Sequence, residues 1–426
     1  MLDPHVLNPI CAALSLAVAL GVLAVLGVRD TSTVASGRFT SVDGLRGYLA
    51  FGVFLHHTAY WYNFVRTGKW GDSSAGSDLQ PHGLFMHLGP TSVVFFFMIT
   101  GLLFYTKLLG PAPQQMDWLR LYVSRFLRLT PLYFCAVLAT FVIVAIETGF
   151  SAREPWPILV ERALGWLLFT MVGPQYPLLN AWPLTRLVTA GVTWSLRCEW
   201  LFYVALPILA LTTKSKAPVR YVLLSLAVVV VLFLVGDPFH KRALLAFVGG
   251  IISALAVRQE PVRKFAMTRW GAPMAIGAVG AAVCLFQSAY DVGAEILLTL
   301  AFTIIAAGNT LFGILKRPLS RAFGDISYSI YLLHGIVLYV AIRFVVGTER
   351  TAGFSPAQYW ALICTCGAFL IGISVLSFRY IEMPAMQRVS RWTAALRARF
   401  GTSQRAARSE PHVIVAAPER IDRSAP

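Results

Sequence analysis

Stretches of about twenty residues without Lys, Arg, Asp or Glu recur along most of this chain. A helix of that length crosses the ~30 Å hydrocarbon core of a bilayer. Only 13% of the 426 residues are charged and 57% are hydrophobic, so lipid is the natural surroundings of most of the sequence. The pattern predicts an all-α polytopic transmembrane helix bundle. It excludes a soluble globular enzyme and a secreted disulfide scaffold.

Twelve apolar runs predict about 11–12 helices in this bundle. A transmembrane barrel would need short alternating strands, which the sequence lacks. The candidate spans are 7–28, 45–64, 84–108, 130–149, 156–172, 190–211, 219–236, 242–257, 271–289, 292–315, 327–347 and 357–380. Thr130 and Pro131 are a typical cap and first-turn pair, so they predict that a helix begins there.

The formal charge of +16 comes from basic residues that gather between the apolar runs and after Pro384. Cytoplasmic loops of membrane proteins collect Lys and Arg, so we interpret this charge as topology and expect a bilayer, with no nucleic acid, as the partner. The pattern predicts a multi-pass protein of the cell (inner) membrane with a cytoplasmic C-terminal tail. Loops 109–129 and 212–220 both look cytoplasmic although three runs separate them. Either one run fails to span, or residues 174–189 dip into the membrane.

Three domains are predicted from these runs. Residues 1–39 form an extra N-terminal transmembrane helix and a cytoplasmic linker, and residues 40–385 form the main transmembrane domain. Residues 386–426 form a basic cytoplasmic tail that we expect to be disordered. The six cysteines lie inside apolar stretches without the spacing of a zinc site, so no metal site is expected.

Arg46 and His57 are the first pair of polar residues inside a span. Eleven residues are about three helical turns, which puts both side chains on one face about 16 Å apart along the axis. Arginine binds phosphate oxygens well, and imidazole can take a proton from a hydroxyl. The alternative is an arginine that snorkels to the interface beside a histidine pair that bonds to neighbouring helices.

Arg125 and Arg128 lie three residues apart just before Pro131. This spacing places both guanidinium groups on one side of a helix, where two cations suit a polyphosphate. The alternative is ordinary anchoring at the inner membrane surface.

Glu199 lies in an aromatic helical segment that begins at Thr193. A carboxylate in lipid needs a cation, so we expect it beside Arg197, another arginine or a histidine. It would then handle protons or orient a base. A structural bond between helices is an equally good interpretation.

Ser327, Tyr331 and His334 follow one another at helical spacings of four and three. They predict a polar stripe on an apolar helix, which also suits plain packing between helices. Arg379 and Glu382 are three residues apart before Pro384, and we expect them to form a structural ion pair.

These segments in this order resemble the membrane-bound acyltransferase family 3, the bacterial O-acyltransferases that modify polysaccharides, lipooligosaccharides and glycosylated natural products. The likeness covers about residues 40–385. Its motifs are Asp43-Gly-Leu-Arg46 with His57 eleven residues on, the aromatic segment ending in Thr100-Gly101, Arg125-x-x-Arg128, Trp194-Ser-Leu-x-x-Glu199, and the Ser327–His334 helix. Trp200 stands where relatives usually carry a second acid.

The resemblance implies transfer of an acyl group, usually acetyl, from acyl-CoA to a hydroxyl of a sugar in a glycan or glycosylated small molecule. It implies that His57 and the arginines of the motifs are required. As a mechanism we expect His57 and Glu199 to be the catalytic residues and Arg46, Arg125 and Arg128 to bind the donor. Asp43, Ser327, Tyr331 and His334 would support them. We expect no tightly bound cofactor, with acyl-CoA as donor co-substrate and a sugar-containing acceptor; a homo-oligomer is left open. The alternative is a proton-coupled transporter or flippase of a glycan precursor, since buried His and Glu also relay protons.

Overall fold

A computed structural model describes residues 8–27, 39–70, 84–110, 116–171, 177–213, 217–235 and 242–399, without the side chains of 232–235. The described residues form helices and connecting segments, so the predicted all-α bundle is confirmed. The first nine helices are α1 Pro9–Val25, α2 Thr40–Thr67, α3 Leu84–Leu108, α4 Trp118–Glu147, α5 Trp156–Leu167, α6 Thr185–Val188, α7 Thr193–Leu209, α8 Val219–Val235 and α9 Leu245–Ala256. The rest are α10 Glu260–Ala266, α11 Gly271–Leu285, α12 Val292–Ala306, α13 Pro318–Asp325, α14 Ser327–Tyr339, α15 Thr348–Ala352, α16 Pro356–Ser377, α17 Met383–Gln387 and α18 Val389–Arg399.

Several of these helices are long and apolar enough to cross a membrane. Among the described residues, five pass by length and composition, and a sixth if α9 and α10, bent by 102°, form one broken span. The five are Leu84–Leu108, Trp118–Glu147, Thr193–Thr212, Ser327–Val346 and Pro356–Arg399. Helices α1, α11 and α12 and residues 219–231 of α8 are shorter apolar helices.

Helix α2 lies at the centre of the bundle. It packs against α3, α13 and α14, and most of its side chains are buried, including His56 and Trp61. At 1.5 Å per residue, its 28 residues are about 42 Å long, which exceeds the hydrocarbon core, although α2 is not among the five helices that pass by length and composition together. The first turn of α2 meets α13, and its last turn lies at the opposite end of the bundle, where Arg66 donates a hydrogen bond to the Phe354 carbonyl at 2.9 Å.

The prediction that a helix begins at Thr130 and Pro131 is wrong. Helix α4 begins twelve residues earlier, at Trp118, where the Asp117 carboxylate accepts a hydrogen bond from the Arg120 amide at 3.1 Å. Pro131 lies inside the helix. Membrane helices tolerate an interior proline because neighbouring groups satisfy the backbone carbonyl that it frees.

The conflict in the loop charges is explained by α5. With 12 residues this helix is about 18 Å long, too short to cross a ~30 Å core. Residues 172–176 lie outside the described residues, and the segment 177–192 that follows them packs against α14: a Cβ placed on Gly335 would lie 2.4 Å from the backbone of Thr189. The helix in the run at 156–172 is therefore too short to span, whereas α4 and the segment Thr193–Thr212 on either side of it are long and apolar enough to cross.

The first part of the predicted tail is helical in the structure. Residues 389–399 form α18, which packs against α4, and Arg397 forms an ion pair with Asp117. This salt bridge ties the end of the helix to the start of α4, so the expectation of disorder does not hold there. Residues 400–426 lie outside the described residues. At the other terminus, α1 packs against α16.

Candidate active site

A small cavity lies between α2, α3, α4, α7 and α14. Its volume is about 120 Å³. The charged residues that line it are Arg46, Arg125, Arg128 and Glu199, which come from three different helices. We call this cavity the arginine pocket. The structure thus brings these four charged candidates together, although the sequence separates the first and last by more than 150 positions.

Arg125 faces the pocket between two aromatic rings. Its guanidinium carbon lies 5.2 Å from the Phe104 ring centroid and 5.9 Å from that of Tyr203. Cation–π contacts hold a guanidinium in place without neutralising its charge. Arg125 is therefore positioned to attract an anion.

Arg128 is paired with a carboxylate that the sequence assigned to another partner. Its Nη1 lies 3.2 Å from Oε2 of Glu382, whose other oxygen accepts a hydrogen bond from Ser329. The predicted pair of Arg379 and Glu382 is wrong. Residues Phe378–Glu382 form a π-helical turn, which aims Glu382 into the bundle and leaves Arg379 over the ring of Tyr380.

Arg46 is surrounded by charges of both signs. Asp43, in the preceding turn of α2, and Glu199 attract it, while Arg125 and Arg128 repel it. Among the described residues, the buried Nε of Arg46 and the buried Oγ of Ser327 have no hydrogen-bond partner. Both residues line the arginine pocket. An unpaired buried polar group is costly, so these two atoms suit a polar ligand.

Glu199 lines the arginine pocket. Tyr203, one helical turn further along α7, donates a hydrogen bond to its Oε1. Arg125, Arg46 and Arg128 all interact with its charge. The sequence analysis expected this carboxylate beside Arg197, another arginine or a histidine. The structure places it near three other arginines, and its described contacts do not include His57.

His57 lies further along α2 and has a histidine partner on α14. Its Nδ1 is 3.0 Å from Nε2 of His334 and 3.0 Å from the carbonyl oxygen of Val53. The two imidazole rings are 4.9 Å apart and inclined by 29°. His334 is fully buried, whereas His57 is partly exposed.

The hydrogen bonds fix the proton on each ring. Nδ1 of His334 is 3.2 Å from the carbonyl oxygen of Ile330, which can only accept, so this nitrogen carries the proton. Nε2 of His334 is then an acceptor, and so is the Val53 carbonyl. Nδ1 of His57 therefore carries the proton shared between them, which leaves Nε2 of His57 as the basic nitrogen.

One stripe of α14 joins the arginine pocket to His57. Ser327 and Tyr331 line the pocket, and His334 bonds to His57. The Tyr331 hydroxyl lies 2.7 Å from Oγ of Ser195 on α7, and its ring is 6.2 Å from that of His334. Arg46 and His57 both face this stripe, about 16 Å apart along α2.

The neighbouring His56 has a structural partner. Its Nδ1 lies 2.8 Å from the carbonyl oxygen of Phe85 on α3. This contact matches the structural alternative for the histidine pair, in which an imidazole bonds to a neighbouring helix. The two adjacent histidines therefore differ in their surroundings.

Other residues at the site were missed by the sequence analysis. Tyr203 follows Glu199 by four positions, so helical spacing could have found it. Glu382 was assigned to Arg379, and only the π-helical turn reveals its contact with Arg128. Trp70, after the end of α2, stacks near His57, and Arg186 on α6 interacts electrostatically with His57; both depend on tertiary contacts that no spacing predicts.

Comparison with known proteins places the chain in a family. A family model described as an acyltransferase domain matches residues 39–379. The chain is also 25% identical, over 390 residues, to acyltransferase MdmB of Streptomyces mycarofaciens, a match that covers 83% of this chain and 93% of that protein. No solved structure matches the chain.

The family model covers well over half of the sequence and includes the arginine pocket, His57 and His334. The helices that carry these residues form the all-α bundle expected of a multi-pass membrane protein. The chain therefore belongs to the membrane-bound acyltransferase family 3.

Proposed function

We propose that this acyltransferase moves an acetyl group from acetyl-CoA to a hydroxyl of a sugar in a glycan or glycosylated small molecule. The observation that carries this proposal is the polar stripe of α14, which joins a pocket of three arginines to a histidine with a basic Nε2. The arginines suit a phosphate-bearing donor, and the histidine suits a hydroxyl acceptor.

The donor is assigned to the arginine pocket. Arg46, Arg125 and Arg128 would bind its phosphates, and Asp43 would hold Arg46 in place. A cavity of about 120 Å³ takes only part of an acyl-CoA, so the rest of the nucleotide would extend beyond it. The flexible arm would follow Ser327 and Tyr331 towards His57, a rise of about 16 Å on α2. The unpaired Nε of Arg46 and Oγ of Ser327 support a polar ligand here.

His57 is assigned as the general base. Its Nε2 would take the proton of the acceptor hydroxyl while that oxygen attacks the thioester carbonyl carbon. A C–O bond forms, the C–S bond breaks, and the departing thiolate takes up the proton from His57. His334 would accept a hydrogen bond from the imidazolium and thus act as a positioning residue.

Glu199 is assigned to the donor side. Its carboxylate accepts a hydrogen bond from Tyr203 and interacts electrostatically with three arginines. Its negative charge would keep the three guanidinium groups close together before the donor binds. This role differs from direct support of His57, and the two roles predict different kinetics.

The basic end of the bundle is assigned to the cytoplasm, where acyl-CoA is made. This end holds the start of α2, the start of α4 and α18. The positive-inside rule supports this orientation and a cytoplasmic C-terminal tail.

The test uses washed membranes that contain the full chain, with acetyl-CoA labelled in the acetyl group. Label that enters a glycan or glycoside supports the proposal. Gradient-driven uptake of a glycan precursor without label transfer would contradict it and support a carrier.

The donor site is tested by Arg125→Ala. We expect the KM for acetyl-CoA to rise about tenfold, equivalent to roughly 1.4 kcal/mol. Arg220 is a matched control, because its guanidinium also lies against an aromatic ring, that of Tyr221 at 5.3 Å. Arg220→Ala should leave this KM unchanged. An unchanged KM for Arg125→Ala would mean that Arg125 is a topological anchor.

A further inference from the structure

A tight turn follows α2 and folds the chain back over that helix. Gly68 has a φ of 71°, a left-handed conformation that favours glycine. The Asn63 side chain donates a hydrogen bond to the Lys69 carbonyl at 3.1 Å, and the Lys69 amide donates one to Oγ1 of Thr67 at 3.2 Å. These bonds fix the direction of the chain into Trp70.

The turn places the Trp70 ring beside His57. The two rings are nearly parallel, inclined by 11°, with centroids 6.2 Å apart. Trp70 also contacts Tyr60, which lies one turn along α2 from His57, at 5.5 Å. His57 thus has His334 on one side and the aromatic rings of Tyr60 and Trp70 on another.

Arg186, from a different part of the chain, interacts electrostatically with the same two residues of α2, His57 and Tyr60. It belongs to the short helix α6, which packs against α14 near Gly335. Its side chain is exposed, and its charge acts on both His57 and Tyr60. Elements distant in sequence therefore converge around this face of His57.

The residues around this face of His57 are less buried than its other neighbours. His57, Tyr60 and Trp70 are half-buried and Arg186 is exposed, whereas the neighbouring His56, Trp61 and His334 are buried. None of the four less buried residues lines the arginine pocket. A second ligand can therefore reach His57 from this side without competing with a donor in the arginine pocket.

We propose that Tyr60, Trp70 and Arg186 form the acceptor subsite and that it binds a sugar ring. The proposal rests on the function proposed above and deepens it by locating the acceptor. The faces of aromatic rings carry negative charge, so they attract the positively polarised C–H groups on the face of a pyranose. The Arg186 guanidinium provides donors for ring hydroxyls or a sugar carboxylate. A ring held on Trp70 presents a hydroxyl towards His57.

The test compares binding and transfer by the full chain in detergent micelles. The probes are radiolabelled methyl hexopyranosides and, as an acyclic polyol, radiolabelled sorbitol. The variants are Trp70→Ala and Trp70→Phe. Trp270→Ala is the matched control, because Trp270 is 60% exposed and its ring also lies beside an arginine, Arg269.

We expect wild type to bind at least one pyranoside more tightly than sorbitol. Trp70→Ala should weaken that binding tenfold or more and raise the acceptor KM equally, while the KM for acetyl-CoA stays the same. Trp70→Phe should recover part of the loss, and Trp270→Ala should behave as wild type. Loss of structure alone would not give this split between the two substrates.

The acceptor subsite is overturned if wild type binds no pyranoside in preference to sorbitol, or if Trp70→Ala binds as tightly as wild type. Binding that depends on Trp70 without any acetyl transfer would instead refute the proposed function and leave the sugar subsite standing. Failure of the subsite and failure of the function are therefore distinguishable.

Discussion

Nδ1 of His57 donates a hydrogen bond to Nε2 of His334 at 3.0 Å, across 277 residues of sequence. His334 can accept because its own Nδ1 donates to the carbonyl oxygen of Ile330. One imidazole thus fixes the tautomer and orientation of the other, a role that a carboxylate plays in serine hydrolases. A neutral partner in this place avoids a buried negative charge in the membrane.

His334 is expected to act through His57. His334→Leu removes the acceptor, so we predict that kcat falls about a hundredfold, within the range that a general base contributes, while the KM for acetyl-CoA changes little. In His334→Gln the side-chain oxygen can take the place of Nε2, so much of kcat should return. Steady-state kinetics of both variants check this. Equal losses in the Leu and Gln variants would show that His334 only fills space.

Arg128 and Glu382 form a buried ion pair, with side chains 12% and 0% exposed. Arg128→Met leaves the Glu382 carboxylate buried without its cation, which should cost about 3 kcal/mol of stability. Glu382→Gln in the same chain should recover most of that loss, although donor binding stays impaired. Thermal unfolding in detergent measures both.

The exposed pair of Lys264 and Glu260 provides the control for this experiment, because its side chains are 75% and 65% exposed. Lys264→Met should change stability by less than about 1 kcal/mol. If the Arg128→Met chain is no less stable than this control, the buried pair does not hold α4 against the turn at Phe378–Glu382.

Glu199→Gln separates two roles of this carboxylate. The amide oxygen can still accept the hydrogen bond from Tyr203, but the negative charge among the three arginines disappears. Without that charge the three guanidinium groups repel one another before the donor binds, so we predict a KM for acetyl-CoA that is higher by about fivefold, roughly 1 kcal/mol, with kcat little changed. A large fall in kcat at constant KM would instead show that Glu199 supports His57.

Gly335 allows the segment that carries Arg186 to pack on α14. A Cβ at this position would lie 2.4 Å from the carbonyl carbon of Thr189 and 2.6 Å from the amide of Ala190, and these backbone atoms cannot rotate away. Gly335→Ala should cost about 1–3 kcal/mol and lower the acyl-transfer rate. A Cβ on Gly372 in α16 would meet nothing within 4 Å beyond its own helix, so Gly372→Ala should be tolerated in the same thermal and kinetic assays.

The sequence predicted the all-α bundle and the residues of one helical face. Hydrophobic length specifies membrane helices directly, and the period of 3.6 residues places Arg46 and His57 on one side of α2. Both properties are local, so predicting them requires no knowledge of which helices pack against each other. The stripe of Ser327, Tyr331 and His334 followed from the same period.

Contacts between helices could not be predicted in this way. The pairing of Glu382 with Arg128 depends on a π-helical turn that changes the direction of the side chain, and local spacing favoured Arg379 instead. Pro131 resembled a helix start because proline is common in a first turn, but membrane packing keeps it inside α4. The contact between His57 and His334 depends on how α2 and α14 meet.

The most direct test is acetyl transfer from labelled acetyl-CoA by His57→Ala, with His56→Asn as its neighbour control. His56 bonds to the Phe85 carbonyl through Nδ1, which an asparagine amide can replace, so this variant should retain transfer within a few-fold of wild type. The single-turnover rate of His57→Ala should be lower than that of wild type by a factor of ~10²–10⁴, while the amount of protein in the membrane stays equal. A His57→Ala chain that transfers acetyl at the wild-type rate would contradict the assignment of His57 as the base.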